Sequence, residues 1–212
     1  MFLVMSISPI PSRRSRCIAL NSNKFEMSVC RHQCLRQLLC TTTQLSQEVL
    51  CFLSASKIEV LSVRNTAEDL LQILPSTEQG FSSLRCLTIY TSHLKYCSVL
   101  LERINTRSLR SFEVIHLHLP DSLSIKELFQ TLERRCSHAL LNSVSLHQRR
   151  QYMAGVTEEN YSAPEYGLAL SIIRLLFAFK NLEILEIELF CPYRLDTSDI
   201  KLMANMALHA SI

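Results

Sequence analysis

A short apolar triplet, spaced Leu-x-x-Leu-x-Leu with other apolar residues allowed, recurs five times along this chain. It reads Ile58-Leu61-Val63, Leu84-Leu87-Ile89, Leu109-Phe112-Val114, Leu141-Val144-Leu146 and Leu182-Leu185-Ile187, with starts separated by 26, 25, 32 and 41 residues. Alternate residues of a strand face opposite sides, so the second and third apolar positions of each triplet point one way and the residues beside them the other. A unit this short buries no apolar face alone. Neighbouring units must stack, with their strands side by side in a parallel sheet. The first two intervals fit strand-and-helix repeats of about 20–29 residues, and the later two demand insertions. The third unit admits a second register, Phe112-Ile115-Leu117, with Ile115, Leu117 and Leu119 inward; the earlier register is preferred.

The segments between triplets carry helical spacing. Thr66 to Leu74 has apolar residues at 67, 70, 71, 73 and 74, a cap in Asn65 or Thr66 followed by Glu68 and Asp69, and a stop at Pro75. His93 to Ile104 places 94, 97, 100, 101 and 104 on one face, and Ser124 to Cys136 places 125, 128, 129, 132 and 136 there. In the latter, Ser124 with Glu127 three residues on reads as a capping box. Leu168 to Phe179 precedes the last triplet, and Thr197 to Leu208, opened by Asp196 to Asp199, follows it. Residues 1–40 lack the triplet, and Cys30 to Leu53 reads as one or two flanking helices, through Leu35, Leu38 and Leu39, then Leu45, Val49, Leu50 and Leu53. Gln148 to Gly167 is a polar loop with Gly155, Pro164 and Gly167, and loops of that length are usually functional or disordered.

These elements define an α/β chain in two parts. Residues 1–44 are an N-terminal extension, partly disordered or helical. Residues 45–212 form a domain that resembles leucine-rich repeats: an irregular solenoid with a parallel sheet of about five strands and helices on its outer face.

Composition narrows the function. Three glycines leave little material for phosphate-cradling loops, and no GxGxxG, GxSxG, Walker loop or HExxH is present. A net charge of +3 implies neither a nucleic-acid nor a membrane surface. Nine cysteines, an odd number, suit free thiols in a reducing compartment, with several in the place of small apolar residues. Met1 to Pro11 is short, lacks a leading positive charge and is cut by Pro9 and Pro11, unlike a signal peptide or membrane span; Arg13, Arg14 and Arg16 bear a faint likeness to a mitochondrial presequence without its amphipathic period. Leu168 to Phe179 contains Arg174 and is too short to cross a bilayer. The expectation is a cytoplasmic or nuclear protein.

Reactive constellations are weak. Cys30, His32, Cys34 and Cys40 supply only half of a zinc site. His116 and His118 share a strand face opposite Ile115, Leu117 and Leu119, which reads as solvent-facing surface in want of a third ligand. Glu158 and Glu159 are adjacent in a loop rather than opposed across a cleft, and Arg149-Arg150 beside Tyr152 reads as a solvated loop. No catalytic residue, metal site or cofactor is expected, and the chain is read as a non-enzyme.

The C-terminal stretch LLFAFKNLEILEIELFCPYRLDTSDIKLMA resembles the repeat regions of fungal F-box proteins: a helix leads to a NLxxLxI strand, a proline-containing loop and an acidic cap. SSLRCLTI, SLRSFEVIHLHLP and LNSVSL resemble the preceding repeats, and the likeness covers roughly residues 45–210. It implies substrate recognition for a ubiquitin ligase. The F-box itself is not evident. No Leu-Pro followed by an acid precedes residue 60, the chain has no tryptophan, and Leu119-Pro120-Asp121 sits in mid-repeat. A Skp-type adaptor is therefore a partner only if an F-box exists outside this chain. A diverged or truncated structural repeat protein is the alternative, and a metal-dependent enzyme a third reading. On the leading reading a protein partner sits on the concave sheet face, at the outward positions Ser62, Arg64, Thr88, Tyr90, Glu113, Ser145, His147, Glu186 and Glu188. Arg64, Tyr90, Glu113, His147, Glu186 and Glu188 are the candidate contacts, since aromatic and arginine anchors dominate many interfaces.

Overall fold

The computed structural model describes residues 35–65, 80–118, 120–149, 168–189 and 193–194. Within them the chain is α/β, with a six-stranded parallel sheet and four α-helices. The sheet strands are β1 (Gln37–Gln44), β2 (Val60–Asn65), β3 (Cys86–Thr91), β4 (Ser111–His116), β5 (Ser143–Gln148) and β7 (Ile184–Glu188), each hydrogen-bonded to the next in that order. Two-residue strands β6 (Leu168–Ala169) and β8 (Tyr193–Arg194) pair separately, also in parallel. The helices are α1 (Gln47–Ala55), α2 (Leu94–Arg103), α3 (Ser122–Arg135) and α4 (Leu170–Ile173), the last running into a 3-10 turn at Arg174–Ala178.

The second and third positions of all five triplets fall on sheet strands and line up. Leu61, Leu87, Phe112, Val144 and Leu185 are register partners, as are Val63, Ile89, Val114, Leu146 and Ile187. Every member of the two rows on β2 to β5 is buried, and the first apolar residue of each of those units (Ile58, Leu84, Leu109, Leu141) is wholly enclosed beneath them. The helices complete this core with Val49 and Leu53 from α1, Cys97 and Leu101 from α2, and Ile125, Phe129 and Leu132 from α3. Helix α2 packs on α3, which packs on α4 and the 3-10 turn.

A repeated backbone contact sets the register. At each strand entry one carbonyl accepts two consecutive N–H groups of the next unit, at 2.8 and 3.0 Å: Arg36 from Glu59 and Val60, Glu59 from Arg85 and Cys86, Arg85 from Arg110 and Ser111, Arg110 from Asn142 and Ser143, and Asn142 from Glu183 and Ile184. Ahead of three strands the chain makes the same tight turn, with the N–H groups of Leu84, Leu109 and Leu182 donating to the carbonyls of Phe81, Thr106 and Phe179. Phe81 adopts a positive φ of 60° at one of these turns. A non-glycine residue holds that conformation at some cost, and its ring is buried in the core.

Several expectations change. The sheet has a sixth strand, β1, inside the residues read as a flanking helix and ahead of the boundary at residue 45. Leu38 pairs with Leu61 and Cys40 with Val63, so Leu35-Leu38-Cys40 is a further triplet with cysteine in its last place; the β-branched run Thr41 to Thr43 favours strand over helix. The helix read through Leu45 to Leu53 is present as α1, capped by Ser46. Helix α3 starts before Ser124. Its cap is Asp121, whose carboxylate accepts from the Ser124 N–H and hydroxyl, both at 2.7 Å. Leu168 to Phe179 is not one helix: Leu168 is drawn into pairing with Tyr193, and after one α-turn the backbone tightens to 3-10. The third unit takes the earlier register, with Phe112 and Val114 inward. The helices read at Thr66 to Leu74 and Thr197 to Leu208, and the loop beyond Arg149, lie outside the described residues.

Candidate partner-binding face

The polar side of the sheet is built from residues that alternate with the buried rows. Register places Ser62, Thr88, Glu113, Ser145 and Glu186 in one line across five strands, and Arg64, Tyr90, Ile115, His147 and Glu188 in the next. All nine outward positions named from the sequence therefore share one face, and the six candidate contacts sit in these two adjacent lines.

His147 gathers three of them. Its Nε2 lies 3.6 Å from Glu186 and 3.9 Å from Glu113, and its Nδ1 lies 3.2 Å from Glu188. Hydroxyls in the same line as Glu113 and Glu186 hold those two carboxylates in place: the Thr88 hydroxyl donates to Glu113 at 3.0 Å, and the Ser145 hydroxyl to Glu186 at 3.4 Å. Ser62 and Ser145 are small enough to be buried between their neighbours, while Glu188 keeps 61% of its side chain exposed and is the most open member of the cluster.

Tyr90 marks the other end of the face. The Arg149 guanidinium lies over its ring, 5.6 Å from the centroid, a cation–π geometry. Partial burial pushes the Tyr90 hydroxyl above its ordinary pKa, nearby Glu113 adds to the rise, and Arg149 opposes it. Arg64 stands beside Tyr90 in register. Between the poles, Ile115 supplies a half-buried aliphatic side chain. Reading Arg149 as a solvated loop residue missed this contact, because nothing in the sequence brings the end of β5 back over β3. Arg150 and Tyr152 lie outside the described residues.

The histidine pair behaves differently from its reading as surface. His116 continues the inward parity of Phe112 and Val114 and is buried; only His118 is exposed. Thr91, His116 and Gln148 are register partners and form a buried polar row at the strand exits. Thr91 and His116 each turn back onto the backbone two residues on: the Thr91 hydroxyl engages His93, and His116 Nδ1 lies 2.5 Å from the His118 carbonyl oxygen. Burial lowers the His116 pKa to about 4; the carbonyls of His118 and Ser92 oppose that fall, while the rings of His118 and His93 add to it. His93 and His118 have ring centroids 6.5 Å apart, yet among the described residues no group of three or more histidine, cysteine or acidic side chains is arranged to hold a metal ion.

Of the other sulfur and acidic candidates, Cys40 is buried in β1, and Cys30, His32, Cys34, Glu158 and Glu159 lie outside the described residues. Cys97 and Cys136 are buried as small hydrophobes; burial pushes the Cys136 thiol up to about 12 and Cys97 higher still. A cavity of about 330 Å³ opens at the strand entries, lined by Arg110, Asn142, Lys180 and Asn181 among others, and includes none of the six candidate contacts. Among the described residues no helix is long and apolar enough to cross a membrane. Comparisons with protein-family models, with curated proteins and with solved structures find no match for this chain.

Proposed function

We propose that this chain is a non-catalytic binding module of the leucine-rich-repeat type, an irregular solenoid that holds a protein partner on the polar face of its sheet. The observation that carries the reading is the pairing of consecutive units. Six parallel strands follow one another in chain order, and the same carbonyl contact recurs at each entry although the connecting lengths differ. Stacks of such units curve and present the strand face as an extended surface. The repeat consensus places Asn or Cys three residues after the last apolar position of the strand triplet. Here those positions are Thr66, Ser92, Leu117, Arg149 and Phe190, and at β3 and β4 the strand exits are satisfied instead by Thr91 and His116. This departure makes the solenoid an irregular one.

The biological role that goes with this reading is substrate recognition for a ubiquitin ligase of the Skp–cullin–F-box type, on the likeness of the strand segments to fungal F-box repeats. Two experiments divide the claim. Crosslinking in cells followed by mass spectrometry identifies a partner, and Arg64→Ala, Tyr90→Ala and His147→Ala together should lower its affinity at least tenfold. Unchanged affinity for a verified partner would remove the sheet face as the binding surface. Co-purification with a Skp-type adaptor from a full-length gene product tests the ligase role separately, and its absence from the eluate would leave a structural repeat protein as the reading.

A further inference from the structure

The polar face is electrically divided. At the β4, β5 and β7 side, three carboxylates surround one imidazole within 3.9 Å. That ring carries at most one positive charge, so the pole is negative whatever its protonation state. At the β2 and β3 side stand Arg64 and the Arg149 guanidinium over Tyr90. Ile115 lies between them, in the same line as Arg64, Tyr90, His147 and Glu188.

The line crosses four inter-strand steps, about 19 Å at the usual spacing of parallel strands, which an extended peptide covers in about six residues. The three carboxylates gathered within 3.9 Å of one ring are close enough to repel one another, and a guanidinium or ammonium placed over them relieves that repulsion. The opposite pole offers a guanidinium fork, which suits a carboxylate. An apolar side chain fits the centre.

From this division we propose that the face takes an extended segment of a partner protein with Arg or Lys over Glu113, Glu186 and Glu188, an apolar residue over Ile115, and Asp or Glu beside Arg64 and Arg149. The proposal rests on the binding-module reading and adds to it the charge order of the ligand.

The test uses the full chain and three fluorescein-labelled peptides read by anisotropy: Arg-Arg-Leu-Leu-Asp-Asp, the same peptide with Asn for Asp, and the same with Asn for Arg. The first should bind tightest, and each neutralised peptide should bind several-fold more weakly. Glu113→Gln, Glu186→Gln and Glu188→Gln combined should weaken the first peptide about tenfold, and leave the Asn-for-Arg peptide unchanged. Glu48→Gln, Glu127→Gln and Glu133→Gln, the same change of net charge placed on the helices, should have no effect on either. Equal losses from both triple variants would show that overall charge alone attracts the peptide, and the proposal falls. Absence of saturable binding by the first peptide also overturns it. Circular dichroism of each variant confirms that the fold is kept. If a verified partner is lost on Arg64→Ala, Tyr90→Ala and His147→Ala but bound normally by the face Glu→Gln triple, the binding face stands and the charge order is wrong.

Discussion

His116 makes the stability of this protein depend on pH between about 6.5 and about 4. In the folded chain the ring is buried and its pKa is lowered from 6.5 to about 4. In the unfolded chain it takes up a proton near its ordinary value. As pH falls from about 6.5 to about 4, the unfolded state therefore binds a proton that the folded state refuses, and stability falls. Integrated over the window, the loss approaches about 3 kcal/mol, at about 1.4 kcal/mol per unit. With a urea slope of about 2 kcal/mol/M, the unfolding midpoint moves down by about 1–2 M. The perturbation is His116→Asn, which keeps a donor near the His118 carbonyl and does not titrate. Urea unfolding followed by circular dichroism at half-unit pH steps should show a midpoint that drops in the wild type and drops much less in the variant. A lower overall stability in the variant is expected from its smaller side chain and does not affect the comparison, which is between slopes. If wild type and variant lose stability in parallel from pH 6.5 to 4.5, His116 is not the buried neutral ring described above.

Three further outcomes follow from the same physics. Phe129, fully enclosed between α3 and the sheet, should cost about 3–5 kcal/mol of unfolding free energy on Phe129→Ala, read as a fall in the urea midpoint. Asp121→Ala should cost about 1 kcal/mol by leaving the first turn of α3 uncapped. Although burial alone would raise the Asp121 pKa, the Ser124 hydroxyl and N–H outweigh it and hold the carboxylate below its ordinary 3.8. Its stabilisation is present above that value and is lost as pH falls through the lowered pKa, so the difference between wild type and variant should shrink only in strong acid, below the His116 window. Cys97 and Cys136, with their thiolates suppressed by burial, should resist iodoacetamide at pH 8 in the native protein and react in urea; peptide mass mapping that finds either alkylated in the native state would contradict the core packing.

The triplets made the sheet legible because strand parity is a two-residue rule that insertions between strands leave intact. The five triplets also supplied nine of the outward residues, so the two lines of the polar face could be written down from the sequence except for Ile115, which the ambiguous register of the third unit concealed. Strand β1 was hidden because Leu38-Leu39 with Leu35 satisfies a helical spacing as well as a strand one, and cysteine stood where a leucine was sought. His116 shares the parity of Phe112 and Val114, so its burial was implied by the preferred register; a polar side chain there reads as surface unless the backbone turn that satisfies it is known. Long-range contacts were out of reach. The approach of Arg149 to Tyr90 depends on where β5 ends relative to β3, which residue spacing does not encode.

The column of doubly accepting carbonyls has a consequence for how this chain tolerates change. Each contact fixes where a strand starts by the two residues at its entry, without reference to the length of chain that precedes it. Units of 25 and 41 residues consequently deliver their side chains at the same spacing on the face. The sheet works as a ruler whose divisions are set locally, so residues can be gained or lost on the far side of a unit while the order of charges along the face stays in place.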